Sequence, residues 1–169
     1  KYQMPGEKES PKEELIIFDF ESKGQLKIKT DTFPDQVLGV FTAPSLKKNG
    51  DDRRKPSLWL ARSNDKLYFS RTSRDLKRVD VCVADAKTGE VKVVVKERLN
   101  TYVEIETPGL INNGQELIQW SERDGWGHFY LYNGDGTLKN QITSGPFHCE
   151  RIEGIDEKNR ILYFSANGR

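Results

Sequence analysis

The chain has 169 residues, 27 Lys and Arg against 26 Asp and Glu, and a formal net charge of +1. The length suits one domain, and the even interspersion of opposite charges argues against an electrostatic footprint for nucleic acid or an anionic membrane. No apolar run approaches the roughly 18 residues of a membrane span, and two cysteines are too few for a disulfide framework.

The first residues, KYQMPGEKES, lack a signal-peptide core and read as an internal point of a longer polypeptide. Glu13 and Glu14 then precede a first hairpin, in which Leu15–Phe20 runs through a turn at 21–24 into Gln25–Lys29. The basic stretch Lys47-Lys48…Arg53-Arg54-Lys55 is interrupted by Asn49-Gly50-Asp51-Asp52 and reads as a solvated loop. Four strands follow, near 57–62, 66–72, 78–84 and 89–96. Cys82 sits between Val81 and Val83 there as a buried free thiol. Glu104 and Glu106 alternate as the solvated face of a further strand. The segment Ser121–Gly145 is a hairpin, with an aromatic strand His128–Tyr132, the turn Asn133-Gly134-Asp135-Gly136, and a return strand to Thr143. Strands over 150–166 close the chain.

These elements repeat. Leu67-Tyr68-Phe69-Ser70 recurs as Leu162-Tyr163-Phe164-Ser165, with Leu117-Ile118-Gln119-Trp120-Ser121 between them, and each copy follows a turn. Arg74 and Arg123 occupy corresponding places downstream of their copies, as do Gly89 and Gly136. Period-two alternation rich in Val, Ile, Tyr, Phe and Trp, without a helical stripe, makes the chain all-β. A repeat of roughly 45–50 residues holding four short strands has the dimension of a propeller blade. The expected divisions are an outer half-blade at 15–29, blades at 57–97 and 101–143, and the inner half-blade of the next at 150–166. Together they give about three blades' worth of four-stranded antiparallel sheet, fewer than the four to eight that close a ring.

On the run SLWLARSNDKLYFSRTSRDLKRVDVCVADAKTGEV, and above all on SERDGWGHFYLYNGDGTLKNQITSG followed by GIDEKNRILYFSAN, the chain resembles the N-terminal β-propeller of dipeptidyl peptidase IV-like enzymes of the prolyl oligopeptidase family. The likeness covers essentially the whole chain. It implies an eight-bladed parent propeller capping a C-terminal α/β-hydrolase domain that carries the serine nucleophile, and a parent that releases N-terminal X-Pro or X-Ala dipeptides. It further implies a periplasmic, secreted or cell-envelope location. The family clamps the substrate amine with adjacent glutamates, which by chain order fall before Lys1; Glu13 and Glu14 lack the aromatic context of that motif.

Within the chain the residues point away from catalysis. No Gly-x-Ser-x-Gly elbow occurs, and Ser144 in Thr143-Ser144-Gly145-Pro146 reads as a turn residue. His128 is expected to pack or hydrogen-bond, and His148 to be either rim or core. Cys82, Cys149, His128 and His148 never cluster with carboxylates at metal-ligand spacing, so neither a metal nor a cofactor is expected. Trp59, Tyr68, Trp120, Tyr130 and Tyr132 fill gaps between blades, whereas Trp126, in the turn Gly125-Trp126-Gly127, is the candidate exposed contact. Arg71, Arg74 and Arg78 read as a rim salt-bridge network, with Arg74 the second candidate for a partner or substrate carboxylate. Two functions follow. One is the non-catalytic propeller part of an exopeptidase, gating access and selecting peptides. The other is a propeller repeat binding a protein or glycan. Open blade edges at both ends predict self-association of the free segment.

Overall fold

The computed structural model describes residues 12–43, 58–61 and 65–168, side chains of 43, 58 and 59 excepted. Its strands are β1 (Ile16–Phe18), β2 (Gln25–Lys27), β3 (Val37–Val40), β4 (Thr42–Ala43), β5 (Leu58–Trp59), β6 (Lys66–Thr72), β7 (Arg78–Asp85), β8 (Val91–Arg98), β9 (Gly109–Ile111), β10 (Glu116–Ser121), β11 (His128–Asn133), β12 (Leu138–Gln141), β13 (His148–Asp156) and β14 (Ile161–Asn167). A single 3-10 turn at Asn112–Gly114 is the one helical element among the described residues. The basic stretch 47–55 and the Trp59 side chain lie outside them.

Two antiparallel four-stranded sheets form, in the orders β3-β6-β7-β8 and β9-β10-β11-β12, flanked by the ribbons β1-β2 and β13-β14. Leu67–Ser70 and Leu117–Ser121 thus occupy the second strands of successive sheets, and Leu162–Ser165 the second strand of the last ribbon. The opening strand of the first sheet differs from expectation. The first sheet takes its opening strand from Val37–Val40, paired with Phe69–Thr72, and not from 57–62. Leu58–Trp59 pairs with Thr42–Ala43 in a separate two-stranded ribbon. Val37-Leu38-Gly39-Val40 is too short for its period to stand out in the sequence, yet Gly39 leaves room for the Ser70 hydroxyl, which reaches its carbonyl at 3.4 Å.

Alternation across the strands builds three apolar layers between four stacked units. On one face of the first sheet Leu67, Phe69, Cys82 and Ala84 meet Ile28, Leu26 and Ile17 of the N-terminal ribbon. On its other face Tyr68, Val81, Val94 and Val95 meet Leu117, Tyr130 and Tyr132 of the second sheet. The far side of that sheet, with Ile118, Trp120, Phe129 and Leu131, packs on Ile152, Ile155, Leu162 and Phe164. Strict alternation would turn Val94 away from Val95, but a register shift after Val81 leaves Val94 without an opposite residue on β7, and the bulge sends both into the same layer. The outer faces of the terminal ribbons are open, with Phe18 52% and Tyr163 56% exposed.

Polar ties cross these layers. Glu116 on β10 accepts hydrogen bonds from Lys139 Nζ at 2.5 Å and from Arg160 Nη2, in the next ribbon's turn, at 3.2 Å. Those two cations hold its carboxyl well down, at about 2. A depressed carboxylate contributes stability that is fully present above its unfolded value and is lost as pH falls toward its folded one. Glu116→Gln is therefore expected to lower the thermal midpoint at neutral pH, and the gap to the parent protein should close as pH falls from about 4.5 toward 2. A gap of constant size across that window, in parallel thermal scans, would assign the effect to packing.

Candidate functional site

The first strands β3, β9 and β13 share one edge of the stack, because each sheet is wound in the same sense and the second strands stand in equivalent places. Along that edge, between the second sheet and the last ribbon, runs a cleft of about 450 Å3. Its floor is apolar, with Leu60, Leu110, Phe129 and Ile152, and its walls carry Glu106, Asn113, Arg151 and Glu157. Gly109 lets the last ribbon press close against β9 beside the cleft. A Cβ there would lie 2.5 Å from Ile155 and 2.9 Å from Ile152.

The charged wall has defined partners. Burial pushes the Glu106 carboxyl up, the neighbouring Glu104 adds to this, and Arg151 opposes it. Arg151 donates from Nε to Glu153 Oε1 at 2.9 Å. Glu157 accepts the Asn112 amide at 2.9 Å, which fixes the turn that ends β9. Glu104 and Glu106 are exposed as expected, but they lie in irregular extended chain and not in a strand. The Glu106 carbonyl there accepts from Gln119 Nε2 at 3.4 Å. Sequence reasoning did not single out Arg151, Asn113 or Glu157. Arg151 lies within β13, Glu157 just past its end and Asn113 in the turn after β9, so no motif spacing joins all three.

Trp126 and Arg74 stand elsewhere. Trp126 is 46% exposed in the loop joining β10 to β11. Arg74 lies in the corresponding β6–β7 loop one sheet earlier, its side chain 64% exposed and paired with Asp35 at 3.0 Å. The structure therefore brings both to the same end of the stack, on adjacent sheets, and brings neither into the cleft. Tyr68, Trp120, Tyr130 and Tyr132 are buried as core. Glu13 and Glu14 are structural, Glu13 accepting the Leu38 amide at 2.6 Å and Glu14 pairing with Lys27.

The histidines and cysteines have defined surroundings. His128 is 2% exposed, with Nε2 against the Gly145 carbonyl at 3.1 Å and Nδ1 against Thr143 Oγ1 at 3.2 Å. A carbonyl can only accept, so Nε2 carries the proton and Nδ1 accepts from the threonine. His148 Nδ1 accepts the Gly127 amide at 3.2 Å. Cys82 is buried with its thiol pushed up to about 12 by loss of solvent, and burial likewise raises Cys149. Among the described residues, no three of His, Cys, Asp and Glu are grouped to hold a metal ion. Among them, too, no helix is long and apolar enough to cross a membrane. The cleft offers a ligand an apolar floor and charged walls.

Comparison with known proteins places this geometry. The family described as the dipeptidyl peptidase IV (DPP IV) N-terminal region matches residues 1–169. Dipeptidyl peptidase 4 of Trichophyton rubrum is 25% identical over 114 residues, covering 64% of this chain and 15% of its own length. That of Arthroderma otae is also 25% identical over 114 residues, with the same coverage of each chain. The crystal structure of Porphyromonas gingivalis dipeptidyl peptidase 4 superposes with a TM-score of 0.70 at 16% identity, over 90% of this chain and 20% of that one. At that identity the superposition shows the fold, a segment of β-propeller. The chain spans about 15% of the length of the curated relatives it matches.

Proposed function

The chain belongs to the family of dipeptidyl peptidase IV N-terminal regions, and from that premise we propose that it is the non-catalytic propeller segment of a serine exopeptidase releasing X-Pro and X-Ala dipeptides. The observation that carries this reading is the match over all 169 residues, on a stack of sheets whose first-strand edge is grooved. In the proposal the rest of the polypeptide closes the ring to eight blades and supplies an α/β-hydrolase domain with the serine. A periplasmic, secreted or cell-envelope location belongs to the same reading, as does self-association of a free segment through its open terminal ribbons.

The segment's part is to gate and select. First strands line the axis of a closed propeller, so the cleft bearing Glu106 and Arg151 would face a peptide passing along it. A peptide of about ten residues extends roughly 33–36 Å, long enough to touch this wall while its N-terminus is processed elsewhere, whereas a dipeptide derivative is not.

In the full-length protein, Gly-Pro and Ala-Pro chromogenic substrates are expected to be hydrolysed and a serine-directed inhibitor to abolish turnover. The isolated segment should show none. Arg151→Glu in the full-length protein should lower kcat/KM for peptides of about ten residues by roughly tenfold, the factor that one charge-assisted contact supplies, and leave the dipeptide substrate unchanged. Absence of X-Pro hydrolysis would overturn the activity, and equal loss on short and long substrates would overturn the selecting role.

A further inference from the structure

At the end of the first complete sheet, Arg71, Arg78 and Arg98 converge on a single aromatic ring. Their guanidinium carbons lie 5.9, 5.0 and 5.6 Å from the centre of Phe33. One carboxylate serves two of these cations. Asp80, its side chain 2% exposed, takes Arg71 Nε at 3.0 Å and Arg98 Nη2 at 2.5 Å. Arg98 Nη1 turns to the carbonyls of Val79 and Glu97, at 2.9 and 2.7 Å, and Arg71 Nη1 to that of Thr30 at 3.4 Å.

Arg78 is left poorly matched. Its nearest acid is Asp75, 3.9 Å away. Asp75 is already committed, accepting Ser73 Oγ at 2.5 Å and the Lys77 amide at 3.3 Å. Asp35 is turned to Arg74. Three fixed positive charges thus share one ring, two of them on the buried Asp80 and the third only loosely on Asp75, while the Arg78 and Arg98 side chains remain 46% and 39% exposed. Like charges held this close repel, and attraction to the ring quadrupole offsets this only in part. An incoming anion would be drawn by both guanidiniums at once.

We propose that the Arg78–Arg98 pair beside Phe33 is a carboxylate-binding site, taking an aspartate or glutamate side chain from a protein surface packed against this end of the propeller. Guanidinium forks match a carboxylate in two parallel hydrogen bonds, and the half-buried ring offers an apolar rest for the methylene stem that a bare inorganic anion lacks. The corresponding end of the second sheet differs in the way that matters. There a single arginine, Arg123, meets a single buried carboxylate, Glu97, at 2.5 Å and stacks 4.3 Å over Tyr130, whereas Asp80 is divided between two arginines with a third beside them. The proposal stands on these side chains alone and holds whatever the activity of the parent protein.

Phenylglyoxal labelling of the full-length native protein, read by mass spectrometry, tests it. Arg151, 70% exposed and paired with its strand neighbour Glu153, is the internal reference. Arg78 is expected to react at least about tenfold more slowly than Arg151, as a charge-assisted pair requires. If the carboxylate comes from the same polypeptide, this protection is present at the outset, is independent of protein concentration, and is relieved near 1 M sodium chloride, where the screening length is about 3 Å. If it comes from a separate molecule, protection appears on adding glutarate at constant ionic strength. Reaction at the rate of Arg151 under every condition overturns the site. So does protection by inorganic phosphate without protection by glutarate, and so does protection that salt leaves unchanged.

Discussion

Arg123→Ala should destabilise the propeller by about 3–5 kcal/mol, the cost of leaving a buried charge without its partner. Arg123 reaches across from the second sheet to Glu97 on β8, a residue 3% exposed. Its Nη2 donates to Glu97 Oε1 at 2.5 Å and to the Tyr132 hydroxyl at 2.6 Å, and its Nε to Ser121 Oγ at 3.0 Å. Ser121 in turn donates to the other Glu97 oxygen at 2.9 Å. Truncating the arginine strands a carboxylate between two sheets with one hydroxyl to hold it. Removing both charges is a different matter, because the desolvation cost of the pair disappears with its attraction. Glu97→Leu combined with Arg123→Met is therefore expected to lose less than Arg123→Met alone. Urea unfolding of the full-length protein, followed by tryptophan fluorescence, reads the difference. Additive losses would show that the two residues do not act as a unit.

Gly136→Ala is expected to cost more than the roughly 1–2 kcal/mol that a left-handed backbone alone imposes on an L-residue. Gly136 has φ of 93°, and a Cβ built on it would lie 2.9 Å from the Val94 carbonyl oxygen of the preceding sheet. Gly89, its counterpart one sheet earlier, has φ of 73° and would put a Cβ 2.7 Å from the Lys27 carbonyl of the N-terminal ribbon. Both glycines let the turn before the last strand press against the outermost strand of the unit before it. The obstacle is backbone, which cannot rotate aside as a side chain would. Gly125→Ala is the control, since its φ is 87° and nothing lies within 4 Å of the added atom. Equal thermal shifts for the two substitutions would mean that turn strain explains both and that the approach between sheets contributes nothing.

Much of this architecture was legible in the chain because its causes are local. Alternation in Leu67–Ser70 and Leu117–Ser121 states which face each strand buries, and turn residues such as Asn133-Gly134-Asp135-Gly136 state where strands reverse. Recurrence at near-constant spacing then states that one sheet is built repeatedly, and the family likeness rides on the same residues. The exposure of Trp126 was legible too, since a glycine on each side leaves it little to pack against.

Other features depend on partners distant along the chain. The first strand of the first sheet is Val37–Val40 because its amides and carbonyls find Phe69–Thr72, and four residues carry too little pattern to announce that. Glu104 and Glu106 alternate like a strand but pair with no strand among the described residues. Arg123 and Arg74 are equivalent in sequence, yet one is buried against Glu97 and the other lies on the surface with Asp35, because different residues come from the preceding unit. The cleft and the arginine cluster are of the same kind, each drawn from several strand ends. Period and turn chemistry are written residue by residue, so the sequence determined the repeated sheet; which charges meet is set by the stacking of one sheet on the next, so only the tertiary structure decided it.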